Sequence, residues 1–253
     1  MPEQACSSSH IGAFVFDLDG TLVETERLKA LSYARVIGTL TGTTVPDQRA
    51  IDLYELVIGS TDEMVCDRMI EEFNLERALE AGSEAGWKAL HRLRMEDYRL
   101  HDGATEHLLQ HAYQHNIDLL RMQKSAGRSV AVATSSLTNE AERVIGALGL
   151  LMFVDEIVGR DAVSKPKPDP EIYLYTMDRL GITPDQTIII EDSPIGTRAA
   201  IASGAAWICV TTPLSRKAIA STPWLDRQWV VDDPATLKDV VDRRLKSSDN
   251  NPQ

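Results

Sequence analysis

The chain has 253 residues, and its 38 acidic and 26 basic side chains give a formal net charge of -12. This charge disfavours binding to nucleic acid or anionic membranes through general electrostatics. The three cysteines are too far apart in sequence to indicate a disulfide framework or a close-spaced zinc site, and no apolar stretch is long enough to span a membrane. We therefore expect a cytoplasmic protein with a small-molecule partner and no nucleic-acid or membrane partner; its oligomeric state is not indicated.

The first predicted element is a strand that ends in two carboxylates. Residues Ile11 to Phe16 are apolar apart from Gly12, and the run stops at Asp17. Side chains two positions apart on a strand point the same way, so Asp17 and Asp19 start on one side. Gly20 then lets the chain turn. Asp-x-Asp-Gly is typical of an ordinary turn as well as of a cation site, so the remaining elements must decide.

The pattern after Leu22 changes from strand to helix. Apolar residues recur at spacings of three and four, which is typical of amphipathic helices. We predict a helical domain over residues 24–101, inserted into a core formed by residues 1–23 and 102–253. The predicted helices cover residues 26–40, 47–56, 61–73, 75–86 and 87–100.

Strands and helices alternate in the rest of the chain. This alternation predicts an α/β fold, a Rossmann-like parallel sheet with helices on both faces, whose ligands bind beyond the carboxyl ends of the strands. The segment 102–127 is longer than one helix requires, and its role is left open. The predicted strands are 129–134, 155–158, 187–191, 206–211 and 228–231.

Polar residues follow the second strand and precede a helix. Thr134 and Ser135 offer hydroxyl groups just before a helix predicted to begin near Thr138. The start of a helix binds anions readily, because its backbone amides have no partners within the helix. The same residues could equally serve as an ordinary helix cap.

A proline-rich loop carries two lysines, Lys165 and Lys167. The prolines at 166, 168 and 170 restrict the backbone and therefore fix where a lysine points. Only one of the two side chains can easily face inward. We expect Lys165 to face the site and Lys167 to lie in solvent.

Two further acids, Glu191 and Asp192, lie at the carboxyl end of the predicted strand 187–191. Burying them beside Asp17 and Asp19 would be costly without cations. The four acids and one lysine leave a net charge of -3. An all-oxygen site of this charge favours Mg²⁺.

Four segments in this order resemble the motifs of the haloacid dehalogenase superfamily. They are Asp17 to Leu22, Thr134, Lys165 in Lys-Pro-Lys-Pro-Asp, and Glu191 to Gly196. The resemblance is to the phosphatase and β-phosphoglucomutase branch, in which a helical cap that selects the substrate follows the first motif. It therefore implies a phosphoric monoester hydrolase with residues 24–101 as the cap.

The resemblance also implies roles for the site residues. Asp17 would be the nucleophile that forms an aspartyl-phosphate, and Asp19 would act as acid and then as base. Mg²⁺ would be held by Asp17, by the backbone carbonyl of Asp19 and by Asp192, while Glu191 holds the metal's waters or adjusts the charge.

The phosphoryl oxygens would be bound by three further groups. The resemblance assigns this role to Thr134, Ser135 and Lys165. Phosphoryl transfer requires positioning and neutralisation of spread negative charge, which a lysine, hydroxyl groups and a metal provide.

Two positions in the helical domain bear on the substrate. Asp62 aligns with an arginine that binds the non-reacting phosphate of the substrate in β-phosphoglucomutases. Lys29 aligns with a histidine that assists the sugar hydroxyl in those enzymes. Because Asp62 would repel a second phosphate, we expect a Mg²⁺-dependent phosphatase of a small phosphate monoester such as a sugar phosphate. The alternative is a β-phosphoglucomutase-type mutase, in which Arg68 could supply the missing cation.

Two other functions stay open. Phosphonate hydrolysis in this superfamily usually uses a cap lysine, which Lys29 could provide. A non-catalytic binding protein on the same fold would be expected to have lost at least one motif.

Overall fold

The computed structural model describes residues 11–57, 60–79, 86–101 and 105–249. The chain divides into two compact units, one formed by Met1–Val23 with Ala112–Gln253 and one by Glu24–His111. The second unit therefore ends at His111, whereas the sequence placed its end at residue 101. The chain returns to the first unit where Ala112 pairs with Val23 in an antiparallel bridge.

The unit Glu24–His111, called the helical unit below, has its own apolar core. Val65, Met69 and Phe73 recur every four residues on one helix, and all three are buried in this core together with Tyr33 and Leu90. The part of the predicted helix 75–86 that covers residues 80–85 lies outside the described residues. The helices are α1 Thr25–Leu40, α2 Gln48–Val57, α3 Asp62–Phe73, α4 Glu76–Leu79, α5 Gly86–His101 and α6 Thr105–Gln110.

The other unit, called the core unit below, contains a six-stranded parallel sheet in the order β3-β2-β1-β4-β5-β6. The central strands β1 and β4 are buried along their whole length, as their apolar sequences predict. The predicted Rossmann-like α/β fold is confirmed. The strands are β1 Ala13–Phe16, β2 Ser129–Ala133, β3 Glu156–Val158, β4 Thr187–Glu191, β5 Ala206–Val210 and β6 Val230–Val231.

Helices connect the strands of the core unit and cover the sheet. The described part of the long segment 102–127, residues 105–127, contains two helices rather than one: α6 ends at Gln110 and the next helix begins at Gln114. The break between them coincides with the crossing between the units. The helices of the core unit are α7 Gln114–Ser125, α8 Thr138–Ala147, α9 Glu171–Leu180, α10 Pro194–Ala202, α11 Arg216–Ala220 and α12 Leu237–Asp249. Within the part of the chain that the structure describes, no helix has the length and apolarity to cross a membrane.

Candidate active site

The loop after β1 brings the first two acids to the carboxyl edge of the sheet. The backbone amide of Asp17 donates to the carbonyl of Ile190 at 2.9 Å, which extends the β1–β4 pairing by one residue. The chain then turns at Gly20, whose φ is 85°. A Cβ atom on Gly20 would lie 2.3 Å from Oδ2 of Asp192, so only glycine lets this loop approach the carboxylate after β4.

Three buried carboxylates meet at this edge. Asp17, Glu191 and Asp192 are 6%, 1% and 5% exposed, and one oxygen from each lies within 4.8 Å of the others. Such a set of hard oxygen ligands fits a cation like Mg²⁺. The two loops after β1 and β4 therefore build the predicted acidic site.

The lysine in this site is Lys167, and the sequence-based choice of Lys165 was wrong. The Nζ atom of Lys167 donates to Oδ1 of Asp17 at 2.6 Å, to Oε1 of Glu191 at 2.7 Å and to the carbonyl of Ala133 at 3.1 Å. Its side chain is 5% exposed. By contrast, the side chain of Lys165 is 69% exposed and lies 3.8 Å from Asp169.

The hydrogen bonds of the loop explain which lysine faces inward. The carboxylate of Glu171, at the start of α9, accepts from the backbone amides of Ser164 and Lys165 at 2.8 and 2.9 Å. These bonds hold the first lysine at the outer side of the loop. The lysine that faces inward, Lys167, is the one that has a proline on each side in the sequence, Pro166 and Pro168.

Glu191 uses both of its oxygens within the protein. Oε1 accepts from Lys167 and from the Tyr173 hydroxyl at 2.6 Å. Oε2 accepts from the amides of Asp192 and Ser193 and from the Ser193 hydroxyl at 3.1, 3.3 and 3.1 Å. Because each carboxylate oxygen has two lone pairs, this saturates Glu191. Glu191 lies close to Asp17 and Asp192, but donors within the protein already occupy both of its oxygens.

Burial and the shared lysine set the charges in this cluster. Burial, together with the nearby charges of Glu191 and Asp19, raises the pKa of Asp17 to about 8 against the opposing effect of Lys167. Burial acts in the same direction on Glu191, but Lys167 and the hydrogen-bond donors hold its pKa below the usual value. Burial disfavours the Lys167 ammonium, yet Asp17 and Glu191 raise its pKa well above normal.

Asp19 contacts the polar residues after β2. Its Oδ2 accepts from the hydroxyl of Ser136 at 2.6 Å and from that of Thr134 at 3.3 Å. Thr134 is fully buried, whereas Ser135 is exposed. The structure thus brings Thr134 to the site as expected, but the serine that reaches it is Ser136 rather than Ser135.

Comparisons with known proteins identify the family of this chain. The family profile of haloacid dehalogenase-like hydrolases matches residues 14–210. The chain belongs to this family. The resemblance inferred from the four motifs is confirmed, and the chain is a haloacid dehalogenase-like hydrolase.

Two curated relatives of this hydrolase are phosphatases. A phosphorylated carbohydrates phosphatase of Thermotoga maritima is 29% identical over 76% of this chain and 81% of its own length. A fructose-1-phosphate phosphatase of Escherichia coli is 30% identical over 75% of this chain and 91% of its own. A solved β-phosphoglucomutase from Clostridium difficile superposes with a TM-score of 0.71 at 23% identity, covering 94% and 98% of the two chains, which shows the shared fold.

Sequence reasoning about this hydrolase missed Tyr173 and Ser136. Tyr173 lies on the buried face of α9, and a buried tyrosine hydroxyl usually finds a hydrogen-bond partner. That rule could have directed attention to it. The only sequence signal for Ser136 was its place in a run of residues with hydroxyl groups. The sequence does not show which of these hydroxyl groups faces inward, since that depends on the path of the loop.

The candidate specificity residues of the helical unit have partners within that unit. Lys29 donates to Glu26 at 3.1 Å. Oδ1 of Asp62, at the start of α3, lies 3.6 Å from a terminal nitrogen of the guanidinium of Arg94, which is 4% exposed. Arg68 is exposed and paired with Glu71 at 3.0 Å. The buried arginine beside Asp62 therefore comes from α5, and it is not Arg68.

Proposed function

We propose that this hydrolase is a Mg²⁺-dependent phosphatase that hydrolyses a small phosphate monoester through an aspartyl-phosphate on Asp17. The observation that carries the proposal is the Lys167 ammonium between Asp17 and Glu191 at the carboxyl edge of the sheet. Phosphoryl transfer needs a nucleophile and fixed positive charge close to the same phosphorus atom. Asp17 and Lys167 supply this pair of groups.

The side chains of the core unit support a two-step reaction. In the first step a carboxylate oxygen of Asp17 forms a bond to phosphorus, the bond to the leaving oxygen breaks, and Asp19 gives that oxygen a proton. In the second step Asp19 takes a proton from the water that attacks the aspartyl-phosphate, which releases inorganic phosphate and restores Asp17. The positive charge of Lys167 neutralises charge on the phosphoryl oxygens, Thr134 binds one of them, and Ser136 holds Asp19 in place.

The acidic cluster suits a divalent cation. Asp17 and Asp192 would bind it through their carboxylates and Asp19 through its backbone carbonyl, while Glu191 keeps Lys167 and the turn at Asp192 in position. Bound Mg²⁺ would neutralise charge on the phosphoryl oxygens and favour the ionised form of Asp17.

For the substrate we propose a phosphorylated small metabolite such as a sugar phosphate. The named substrates of the two phosphatase relatives support this class. We also propose that the helical unit selects among such substrates. The carboxylate of Asp62 lies beside Arg94 and cancels its charge, which disfavours a second phosphate and therefore the mutase alternative. Lys29 and Asp62 stay the positions whose substitution should change substrate preference.

Hydrolysis of an aryl phosphate with and without Mg²⁺ tests the proposal. We expect Mg²⁺-dependent release of phosphate that is lost in Asp17→Asn, a variant that keeps the size of the side chain. A rate no higher than that of Asp17→Asn would refute a phosphatase. Incubation with β-glucose 1-phosphate and a bisphosphate activator separates the mutase, which would accumulate glucose 6-phosphate without free phosphate.

A further inference from the structure

Tyr173 is a fully buried tyrosine whose hydroxyl group points into the acidic site. It lies on α9, is 0% exposed, and donates to Oε1 of Glu191 at 2.6 Å. The same oxygen accepts from Lys167, whose Nζ lies 4.8 Å from the centre of the Tyr173 ring. One side chain thus contacts both the lysine and the glutamate of the site.

The contacts of Lys167 leave its ammonium no spare donor. An ammonium has three N–H groups, and here they reach Asp17, Glu191 and the carbonyl of Ala133. The ring of Tyr173 adds a cation–π contact from the side. The position of the lysine therefore depends on where Glu191 points.

The rotation of the Glu191 carboxylate in turn depends on Tyr173. Oε2 is bound to the backbone turn at Asp192 and Ser193, and a Cβ atom on Gly196 would lie 1.8 Å from Oε1. The packing on that side leaves no room for another side chain. The hydroxyl of Tyr173 and the ammonium of Lys167 are the two donors that hold Oε1.

We propose that Tyr173 is a positioning residue that fixes the Glu191 carboxylate and, through it, Lys167 and the turn that carries Asp192. The proposal rests on the proposed phosphatase function. Tyr173 itself touches neither the phosphoryl group nor the cation. Its hydroxyl arranges the residues that do.

Replacing Tyr173 by phenylalanine tests this role, because the ring stays and only the hydroxyl is lost. Tyr175→Phe is the matched control: it makes the same change on the same helix, at a side chain that is 39% exposed. We expect Tyr173→Phe to weaken Mg²⁺ binding about tenfold, measured by calorimetry without substrate, since loss of an outer hydrogen bond that supports the ligands of a metal typically costs this much. Tyr175→Phe should change Mg²⁺ affinity by less than about twofold.

A double-mutant cycle with Lys167→Gln separates positioning from packing. Tyr173→Phe alone should lower kcat/KM for an aryl phosphate about tenfold at saturating Mg²⁺, and it should have less than about a twofold effect when Lys167 is already glutamine. Circular dichroism and thermal unfolding confirm that each variant is folded. Unchanged Mg²⁺ affinity with a lowered melting temperature, or equal fold-losses in both backgrounds, would show that Tyr173 only packs.

The calorimetric measurement does not depend on turnover. If the wild-type protein hydrolysed no aryl phosphate, the proposed function would fail, and Mg²⁺ binding by Tyr173→Phe would still decide whether the hydroxyl positions Glu191. If wild-type turnover were present and Tyr173→Phe matched Tyr175→Phe in both measurements, the positioning role alone would fail.

Discussion

Two buried carboxylates share one ammonium in this site, and their other contacts decide which of them keeps its charge. Glu191 accepts from Tyr173 and from the backbone and hydroxyl of the following turn, in addition to Lys167. These donors stabilise its ionised form. Asp17 is therefore the carboxyl whose pKa rises, to about 8. As the proposed nucleophile, Asp17 needs the added positive charge of a cation to be ionised at neutral pH.

The raised pKa of Asp17 predicts how stability depends on pH when no divalent cation is present. Between its ordinary value of 3.8 and about 8 the folded protein holds a proton that the unfolded chain releases. The free energy of unfolding should therefore fall as pH rises through this window and level off above it. In Asp17→Asn this contribution is absent. Calorimetric melting temperatures in EDTA should fall less steeply with pH in the variant, and parallel curves would contradict the raised pKa.

Removing the buried lysine should have a far larger effect than removing its neighbour. Lys167→Gln leaves Asp17 and Glu191 without their shared counter-charge, whereas Lys165→Gln removes a side chain that is 69% exposed. We expect kcat/KM to fall about 10² to 10³-fold in Lys167→Gln, the usual cost of losing one charge-stabilising group. Lys165→Gln should stay within about twofold of wild type. A larger loss of kcat/KM in Lys165→Gln than in Lys167→Gln would show that Lys165 is the functional lysine, as the sequence analysis expected.

The hydrogen bond between Ser136 and Asp19 predicts an effect that depends on the leaving group. Without the hydroxyl at 2.6 Å the acid is less well held, so Ser136→Ala should slow proton transfer to the leaving oxygen. We expect kcat to fall about tenfold for an alkyl phosphate, which needs that proton, and much less for p-nitrophenyl phosphate. The exposed Ser135 provides the control as Ser135→Ala. Equal losses on both substrates would place Ser136 outside acid catalysis.

At the scale of elements, the sequence predicted most of the fold because buried parallel strands appear as apolar runs. The strand predicted over 187–191 is β4 with the same bounds, and the helix predicted over 87–100 is α5, Gly86–His101. The acids of the site were also predictable, since they lie at the carboxyl ends of two strands or within three residues after them. The direction of a side chain within a loop was not predictable, because it depends on the path of the loop backbone, which here is held by hydrogen bonds to Glu171.

The turn after β1 offers a test at this scale. Gly20 and Gly42 have nearly the same φ, 85° and 83°, but an added Cβ would meet Asp192 at 2.3 Å in the first case and nothing within 4 Å in the second. Gly42→Ala should cost about 1 kcal/mol of stability from backbone strain alone. Gly20→Ala should cost more and also weaken Mg²⁺ binding, because it displaces Asp192. Equal losses in chemical denaturation and unchanged Mg²⁺ affinity would show that the loop can move away.

At the scale of the whole molecule, the chain crosses between its units at two neighbouring points. Val23 pairs with Ala112 in an antiparallel bridge, and the amide of Tyr113 donates to the carbonyl of Leu22 at 2.9 Å. In the core unit the side chain of Asn116 also donates to the Thr21 carbonyl at 2.6 Å. These contacts join the two segments of the core unit at the point where the helical unit is inserted.

Because these contacts lie within the core unit, we predict that the helical unit can be deleted from the chain and the core unit will still fold. Bridged residues have Cα atoms about 4.5 to 5.5 Å apart, so a short Gly-Ser linker can join Val23 to Ala112 in place of residues 24–111. Every side chain assigned above to nucleophilic attack, acid catalysis and cation binding stays in the shortened chain. We expect it to fold, to bind Mg²⁺ and to hydrolyse an aryl phosphate, because the sheet and its helices form their own core.

The kcat/KM values of this shortened chain across a panel of phosphorylated metabolites should differ less from one another than those of the full chain. Unaltered ranking and spread of these values would show that the core unit, and not the helical unit, selects the substrate.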